Sequence, residues 1–394
     1  VEYKVSGQGK ELIQGISVGS KAATGKTHII LNPKQIRKFK KGEILVTTMT
    51  DPDWEPIMKM ASAIVTDKGG RTSHAAIVSR ELGLPAIVGA GNATKVLKSG
   101  MLVTVDTTGS AGIVTLGKAV IKKHEHSLGT LPKTKTKIMV NIASPDIAFE
   151  NSFLPVGGVG LAREEFIIAS TIGVHPLAIL NFKKLSPNLR AEITEKMAGW
   201  TSPVDYYVDN LAYGIARIAA AFAPRPVIVR FSDFKTNEYA TLLGGEAYEP
   251  KEENPMLGWR GASRYYDEKF KDAFVLECRA LVQVREKMGF TNVIPMIPFC
   301  RTIAEAESVL TIMAKNGLVA RSMSRGGKGK MTPVYMMCEI PANVILDEEF
   351  LDLFDGMSIG SNDLTQLTLG LDRDSGIVTH ISNENDESVR ALIS

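Results

Sequence analysis

The sequence is poor in cysteine. Its three cysteines in 394 residues, Cys278, Cys300 and Cys338, stand far apart and form no CxxC. That excludes a disulfide framework and a zinc knuckle and fits a reducing, cytoplasmic compartment. An apolar run of the ~18–20 residues a membrane span needs is also lacking. The nearest candidate, Leu211 to Ala223, contains Arg217 and runs into Pro224. Neither sign of charge dominates: 46 basic and 43 acidic side chains leave +3, too little to mark a nucleic-acid binder. The start, Val1-Glu2-Tyr3-Lys4, has no initiator Met and no signal-peptide pattern. It reads as the beginning of a piece cut from a longer chain.

What remains is ordinary for a globular protein: 44% hydrophobic and 23% charged residues, with length for two or three domains. Residues 1–118 carry short β-rich runs at 44–46, 63–66, 102–105 and 112–116 between glycine turns, plus one clear helix from Thr72 to Leu82 that Gly83 and Pro85 terminate. This predicts a small α/β domain. Residues 119–136 are charged and poorly periodic and read as a linker. From residue 137 to 394 the pattern is strand, then helix, repeated. Six buried-strand candidates lie at 137–142, 158–161, 226–231, 293–297, 334–339 and 356–360. Amphipathic helices fall between them, for example at 208–222 and 303–315. Repeated βα units imply a parallel sheet with helices outside. Arg163, Arg230, Glu339, Asn362 and Asp363 follow strand ends, where a (β/α)₈ barrel places its active site. The expected fold class is therefore α/β: a small β/α domain followed by a TIM-type barrel. A long insertion at 232–265 takes up length, so two strand–helix units of the barrel are expected beyond the C-terminus.

The strongest local signal runs from Gly69-Gly70-Arg71-Thr72-Ser73-His74 to Leu84-Pro85-Ala86. Two glycines let backbone amides approach an anion closely. Thr72 or Ser73 can cap the helix that follows. His74 then sits in its first turn, where amide donors and the helix dipole favour added negative charge. A neutral imidazole there suits nucleophilic attack on phosphorus. The bland alternative is a capping histidine without chemistry. Weaker patterns are set aside. Thr24-Gly25-Lys26-Thr27 lacks the first glycine of a P-loop. The basic, Gly-rich stretch 324–330 reads as a solvated helix-to-strand loop, and the remaining histidines show no metal-ligand spacing.

The His74 run resembles the phosphohistidine signature of the phosphoenolpyruvate (PEP)-utilising enzymes. The resemblance continues through Gly160-Leu161-Ala162-Arg163-Glu164-Glu165-Phe166, Val229-Arg230-Phe231-Ser232-Asp233-Phe234-Lys235, Gly258-Trp259-Arg260-Gly261-Ala262-Ser263-Arg264 and Gly360-Ser361-Asn362-Asp363-Leu364. It leans towards the synthase branch of the family and covers nearly the whole chain. It implies a phosphotransferase that converts pyruvate to PEP through phosphorylated His74 in a swivelling domain. ATP would enter through a nucleotide-binding domain ahead of Val1, and a catalytic cysteine would lie beyond Ser394. By resemblance Arg163 and Arg230 bind substrate, Arg260 contacts the phosphoryl group and Arg373 assists. Planar guanidinium forks suit the phosphate and carboxylate of PEP. Glu339 and Asp363 are implied ligands of Mg²⁺, and two carboxylates at neighbouring strand ends can share that ion; the alternative for them is an ion pair to a nearby arginine. Gly360, Ser361 and Asn362 would line the substrate site, and Gly69, Gly70, Thr72 and Ser73 the phosphohistidine loop. Pyruvate and PEP are the implied partners, with no nucleic acid, no membrane and a possible homodimer. Two rivals are a dikinase that also uses inorganic phosphate, and a non-catalytic phosphohistidine carrier.

Overall fold

The computed structural model describes all residues except 1, 8, 33–34, 36–37, 52–53, 71–72, 126–133, 324–330, 373–377 and 379–380. Four features read from the sequence therefore lie outside the described residues: most of the second half of the 119–136 linker, the loop 324–330, Thr72 and Arg373. The chain divides into two compact units, residues 1–132 and 133–394.

In the first unit the strands are β1 (Glu2–Ser6), β2 (Glu11–Val18), β3 (Ala22–Ile29), β4 (Ile44–Thr47), β5 (Ala63–Thr66), β6 (Ala86–Val88), β7 (Leu102–Asp106), β8 (Ala111–Leu116) and β9 (Val120–His124). Seven of them close into a barrel in the order β2-β6-β5-β4-β3-β7-β8. The β3–β4–β5–β6 pairings are parallel and the others antiparallel. Every residue of β4, β5 and β6 is buried, so these strands read as continuous apolar runs. Alternate residues then serve two cores. Leu45, Ile64, Ala86 and Val88 pack with Ala75, Ala76 and Val78 of the helix His74–Glu81. Ile44, Val46, Ala63, Val65 and Ile87 pack with Val103, Val105 and Val114. The helix stops where predicted: the Leu82 and Gly83 amides donate back to Val78 and Arg80 carbonyls, and Gly83 takes φ +64°.

One boundary differs from the sequence reading. Val120–His124, expected as the start of a linker, is strand β9, paired antiparallel with β1 from Glu2↔His124 to Ser6↔Val120. An exposed two-stranded ribbon leaves lysine side chains in water, so the charge run that suggested a linker is compatible with pairing.

The second unit carries β10 (Val140–Ile142), β11 (Val159–Arg163), β12 (Val227–Arg230), β13 (Val293–Ile297), β14 (Tyr335–Cys338) and β15 (Gly356–Ile359). They form one six-stranded sheet in chain order with every pairing parallel. Each lies within or against its predicted run, and the architecture is consistent with an incomplete (β/α)₈ barrel. The crossover helices have legible causes. Helix Pro203–Phe222 starts with Ser202 accepting the Asp205 amide at 3.2 Å and Pro at its first position. It buries Leu211, Ile215, Ile218 and Phe222 and stops ahead of Pro224, which cannot continue it. Helix Ile303–Lys315 is capped by Thr302 in the same way. Among the described residues no helix is long and apolar enough to cross a membrane.

Candidate active site

In the first unit, the loop after β5 delivers His74. Asp67 anchors it: one carboxylate oxygen accepts the Thr94 amide at 2.9 Å, the other the Thr94 hydroxyl at 2.5 Å. Gly69 has φ +111°, a region only glycine enters freely. A Cβ there would also stand 2.8 Å from Ser73 Oγ, whereas one on Gly70 would meet nothing within 4 Å. Ser73 holds the N-cap position without capping: its Oγ donates to the Gly70 carbonyl at 2.8 Å and makes no bond to a helix amide. The predicted capping role of Ser73 is therefore corrected to closing the glycine turn. The hydroxyl is committed there and leaves the first-turn amides without a bond from Ser73. His74 opens the helix, half-buried, with Nδ1 3.0 Å from Thr50 Oγ1. Thr72 lies outside the described residues, as does Arg373 of the second unit.

In the second unit the predicted residues gather at the C-terminal ends of the strands. Arg163 and Arg230 end β11 and β12 as register partners. Arg230 pairs with Glu165 at 2.5 Å and Asp233 at 3.3 Å. Arg260 is buried and grips Asp233 with a two-toothed contact, Nε to Oδ1 at 3.0 Å and Nη2 to Oδ2 at 2.5 Å. Its Nη1 donates to Asp363 Oδ1 at 3.0 Å and to the Met256 carbonyl at 3.2 Å. Its guanidinium stands 4.1 Å from the centre of the Phe299 ring, close enough for a cation–π contact. Phe299 itself adopts φ +47°, unusual for a bulky residue. That bend aims its amide at Glu339 Oε1, at 2.8 Å.

Electrostatics follow from burial and crowding. Burial alone would raise the Asp233 carboxyl, but Arg260 and Arg230 outweigh it and hold it below the usual carboxylate range. Glu339 goes the other way: burial first, then the Asp233 and Asp363 carboxylates, push it up to about 8, with Arg230 and Arg260 offsetting part. Glu339 is thus short of positive charge. Gly360 makes room for it, since a Cβ there would lie 2.6 Å from Glu339 Oε2. Ser361, Asn362 and Asp363 form the first turn of helix Ser361–Leu369, respectively half-buried, exposed and buried. The arginine ion pair considered as the alternative for Asp363 is present, through Oδ1. An under-neutralised carboxylate beside a second one, all-oxygen in character, fits a hard divalent cation. No group of three or more His, Cys, Asp or Glu surrounds one point among the described residues, so the pair would supply two ligands and leave the rest to water or substrate.

Comparison with known proteins bears on this geometry. Residues 118–394 match the family model of the PEP-utilising enzyme, PEP-binding domain. The chain belongs to the PEP-utilising enzymes. Residues 39–109 match the mobile domain of the same family. Among curated relatives the chain is 54% identical to a phosphoenolpyruvate synthase of Synechocystis sp., over 99% of this chain and 47% of that protein. It is 53% identical to that of Deinococcus radiodurans, over 99% and 49%, and 51% identical to that of Escherichia coli, over 100% and 49%. The chain spans about half the length of the curated relatives it matches.

Sequence reasoning passed over Glu165, Asp233 and Phe299, which hold the arginines and Glu339 in place. Glu165 and Asp233 stand inside the very motifs quoted for Arg163 and Arg230, so a search for the counter-charge of each buried arginine would have found them. Nothing in the sequence marks Phe299.

Proposed function

We propose that this chain carries the phosphoryl-transfer part of a phosphoenolpyruvate synthase. Residues 1–118 would present His74, and residues 137–394 would bind pyruvate and PEP. The observation that carries this reading is the pre-aimed arginine–carboxylate cluster at the strand ends, in a chain that also places a half-buried imidazole at a glycine-loop helix start. In the direction from PEP, an imidazole nitrogen of His74 attacks phosphorus, the bond from phosphorus to the enolic oxygen breaks, and the enolate leaves to be protonated to pyruvate. Thr50, bonded at Nδ1, orients the ring and directs Nε2 to phosphorus. Arg163 and Arg230 bind the ligand's anionic groups. Arg260, locked on Asp233 and Asp363, faces the phosphoryl with its charge, a placement that requires no reorganisation during transfer. Gly360, Ser361 and Asn362 line the pocket. Glu339 and Asp363 would hold Mg²⁺, whose contribution when bound is to neutralise charge on the enolate oxygen.

In the whole protein ATP would charge His74, through a domain outside this chain. The three buried, unbridged thiols support a cytoplasmic setting. The test is incubation with PEP labelled in its phosphoryl group and Mg²⁺. Acid-labile label on the chain, absent from His74→Ala, is expected; label persisting in that variant would sink the reading.

A further inference from the structure

One residue along the chain from Glu165, and in contact with the residue beside Asp233, lies an acidic pair the reaction does not use. Glu164 opens the short helix after β11, and Glu277 lies in helix Lys271–Val282; both are wholly buried. Glu277 grips Ser232 at two points. Its Oε2 accepts the Ser232 amide at 3.0 Å and its Oε1 the Ser232 hydroxyl at 2.6 Å. With that hydroxyl proton committed, the Tyr239 hydroxyl, 2.7 Å from Ser232 Oγ, is the donor of its own contact. Tyr265 donates to the Ser232 carbonyl at 2.7 Å. Ser232 is therefore fixed at its amide, hydroxyl and carbonyl. It sits between Arg230 and Asp233, the residues that form the ion pairs of the substrate site.

Glu164 is the anomaly. Written as a carboxylate, both its oxygens are buried without a hydrogen-bond partner. The charged groups it senses are Glu277 and Glu165, both acidic. An ionised Glu164 would be a buried anion facing two others with no donor, an arrangement of prohibitive cost. One proton resolves it, because Glu164 and Glu277 are within hydrogen-bonding reach. Both Glu277 oxygens already accept from Ser232, so the proton belongs to Glu164.

We propose that Glu164 is a neutral carboxylic acid donating to the Glu277 carboxylate, and that this proton-sharing pair is a positioning device that sets the Arg230–Asp233 turn through Ser232. The titration tendencies agree. Burial, then the neighbouring carboxylates, push Glu164 well above its ordinary value. Burial raises Glu277 to about 7, while the Ser232 bonds and the Glu164 hydrogen bond favour its charged form. Where it concerns ligand binding, the inference rests on the reading of the preceding subsection.

The isosteric variants are predicted to behave unequally. Glu164→Gln keeps a donor in the same place, so PEP binding with Mg²⁺, read by calorimetry on the 394-residue chain, should stay within about twofold of the unaltered protein. Glu277→Gln replaces two acceptor oxygens by one, and its Kd should rise about tenfold or more at a temperature where it is folded. Ser232→Ala should weaken binding in the same direction. The proton is read without any ligand: in a Glu339→Gln background, which removes the other glutamate that burial and crowding raise, carbon-13-labelled glutamate should give a protonated-carboxyl infrared band at neutral pH that disappears when Glu164→Gln is added. Absence of that band, or Glu164→Gln proving as damaging as Glu277→Gln, overturns the pair. A Glu277→Gln chain that melts earlier yet binds PEP unchanged overturns the positioning role. If Glu277→Gln does not fold, the infrared band and Ser232→Ala decide. If the unaltered chain fails to bind PEP, it is the functional reading that falls, and the infrared result still judges the pair.

Discussion

His74 in the first unit is half-buried, at the mouth of a helix, and meets Thr50 through Nδ1 at 3.0 Å. Arg260 in the second unit is buried and makes four hydrogen bonds, to Asp233 twice, to Asp363 and to Met256. The contrast fits the two tasks proposed. A nucleophile that takes up and gives away a phosphoryl group has to stay reachable, and a hydroxyl partner such as Thr50 can orient the ring. A receiving pocket works by charges aimed in advance, and aiming a buried guanidinium requires buried counter-charges around it. Burial, then the crowding of those carboxylates, raises Glu339.

The comparison is broken most severely at Arg260. Arg260→Ala removes the two-toothed partner of Asp233, leaving it Arg230, and one partner of Asp363, and should destabilise the 133–394 unit by about 3–5 kcal/mol. Urea unfolding followed on that unit should show the loss; an unmoved midpoint would mean that the Arg260 network adds nothing to its stability. Glu339→Gln is the next test. Removing one of three crowded carboxylates relieves repulsion, so the Mg²⁺-free chain should melt at the same or a higher temperature. The rise in Tm that Mg²⁺ gives the unaltered chain with PEP should disappear; a Mg²⁺ response that survives would move the ion elsewhere. Thr50→Val is the mildest. Loss of one hydrogen bond of about 0.5–1.5 kcal/mol should slow labelling of His74 by up to about tenfold and leave Tm nearly unchanged. An unchanged labelling rate would show that Thr50 does not orient the ring.

The parallel sheet was legible because buried parallel strands are unbroken apolar runs, such as Val293–Ile297, bounded by capped helices. The first unit was harder to read. Its β2 and β3 mix exposed, half-buried and buried positions and contain Gly15 and Gly25, where a Cβ would collide with neighbouring backbone or side chains at 2.7 and 2.8 Å. Local propensity counts such glycines against a strand, yet they are required by close packing in the closed barrel. β6 is only three residues long, too short for any periodicity. From motif and strand end the sequence singles out His74 in the first unit and, in the second, Arg163, Arg230, Arg260, Glu339 and Asp363. Asp233 and Glu165 were in plain view but unassigned, because a carboxylate's role depends on which arginine it faces.

The sequence by itself determined the alternation of strand and helix, the glycine loop before His74, and which charged residues terminate strands, since these depend on spacing along the chain. Only the tertiary structure decided that seven short strands close into a barrel, that Arg260 reaches 103 residues ahead to Asp363, and that Glu164 must share its proton with Glu277. Each of those outcomes depends on long-range neighbours and on the exclusion of water, which sets the cost of every unpaired charge.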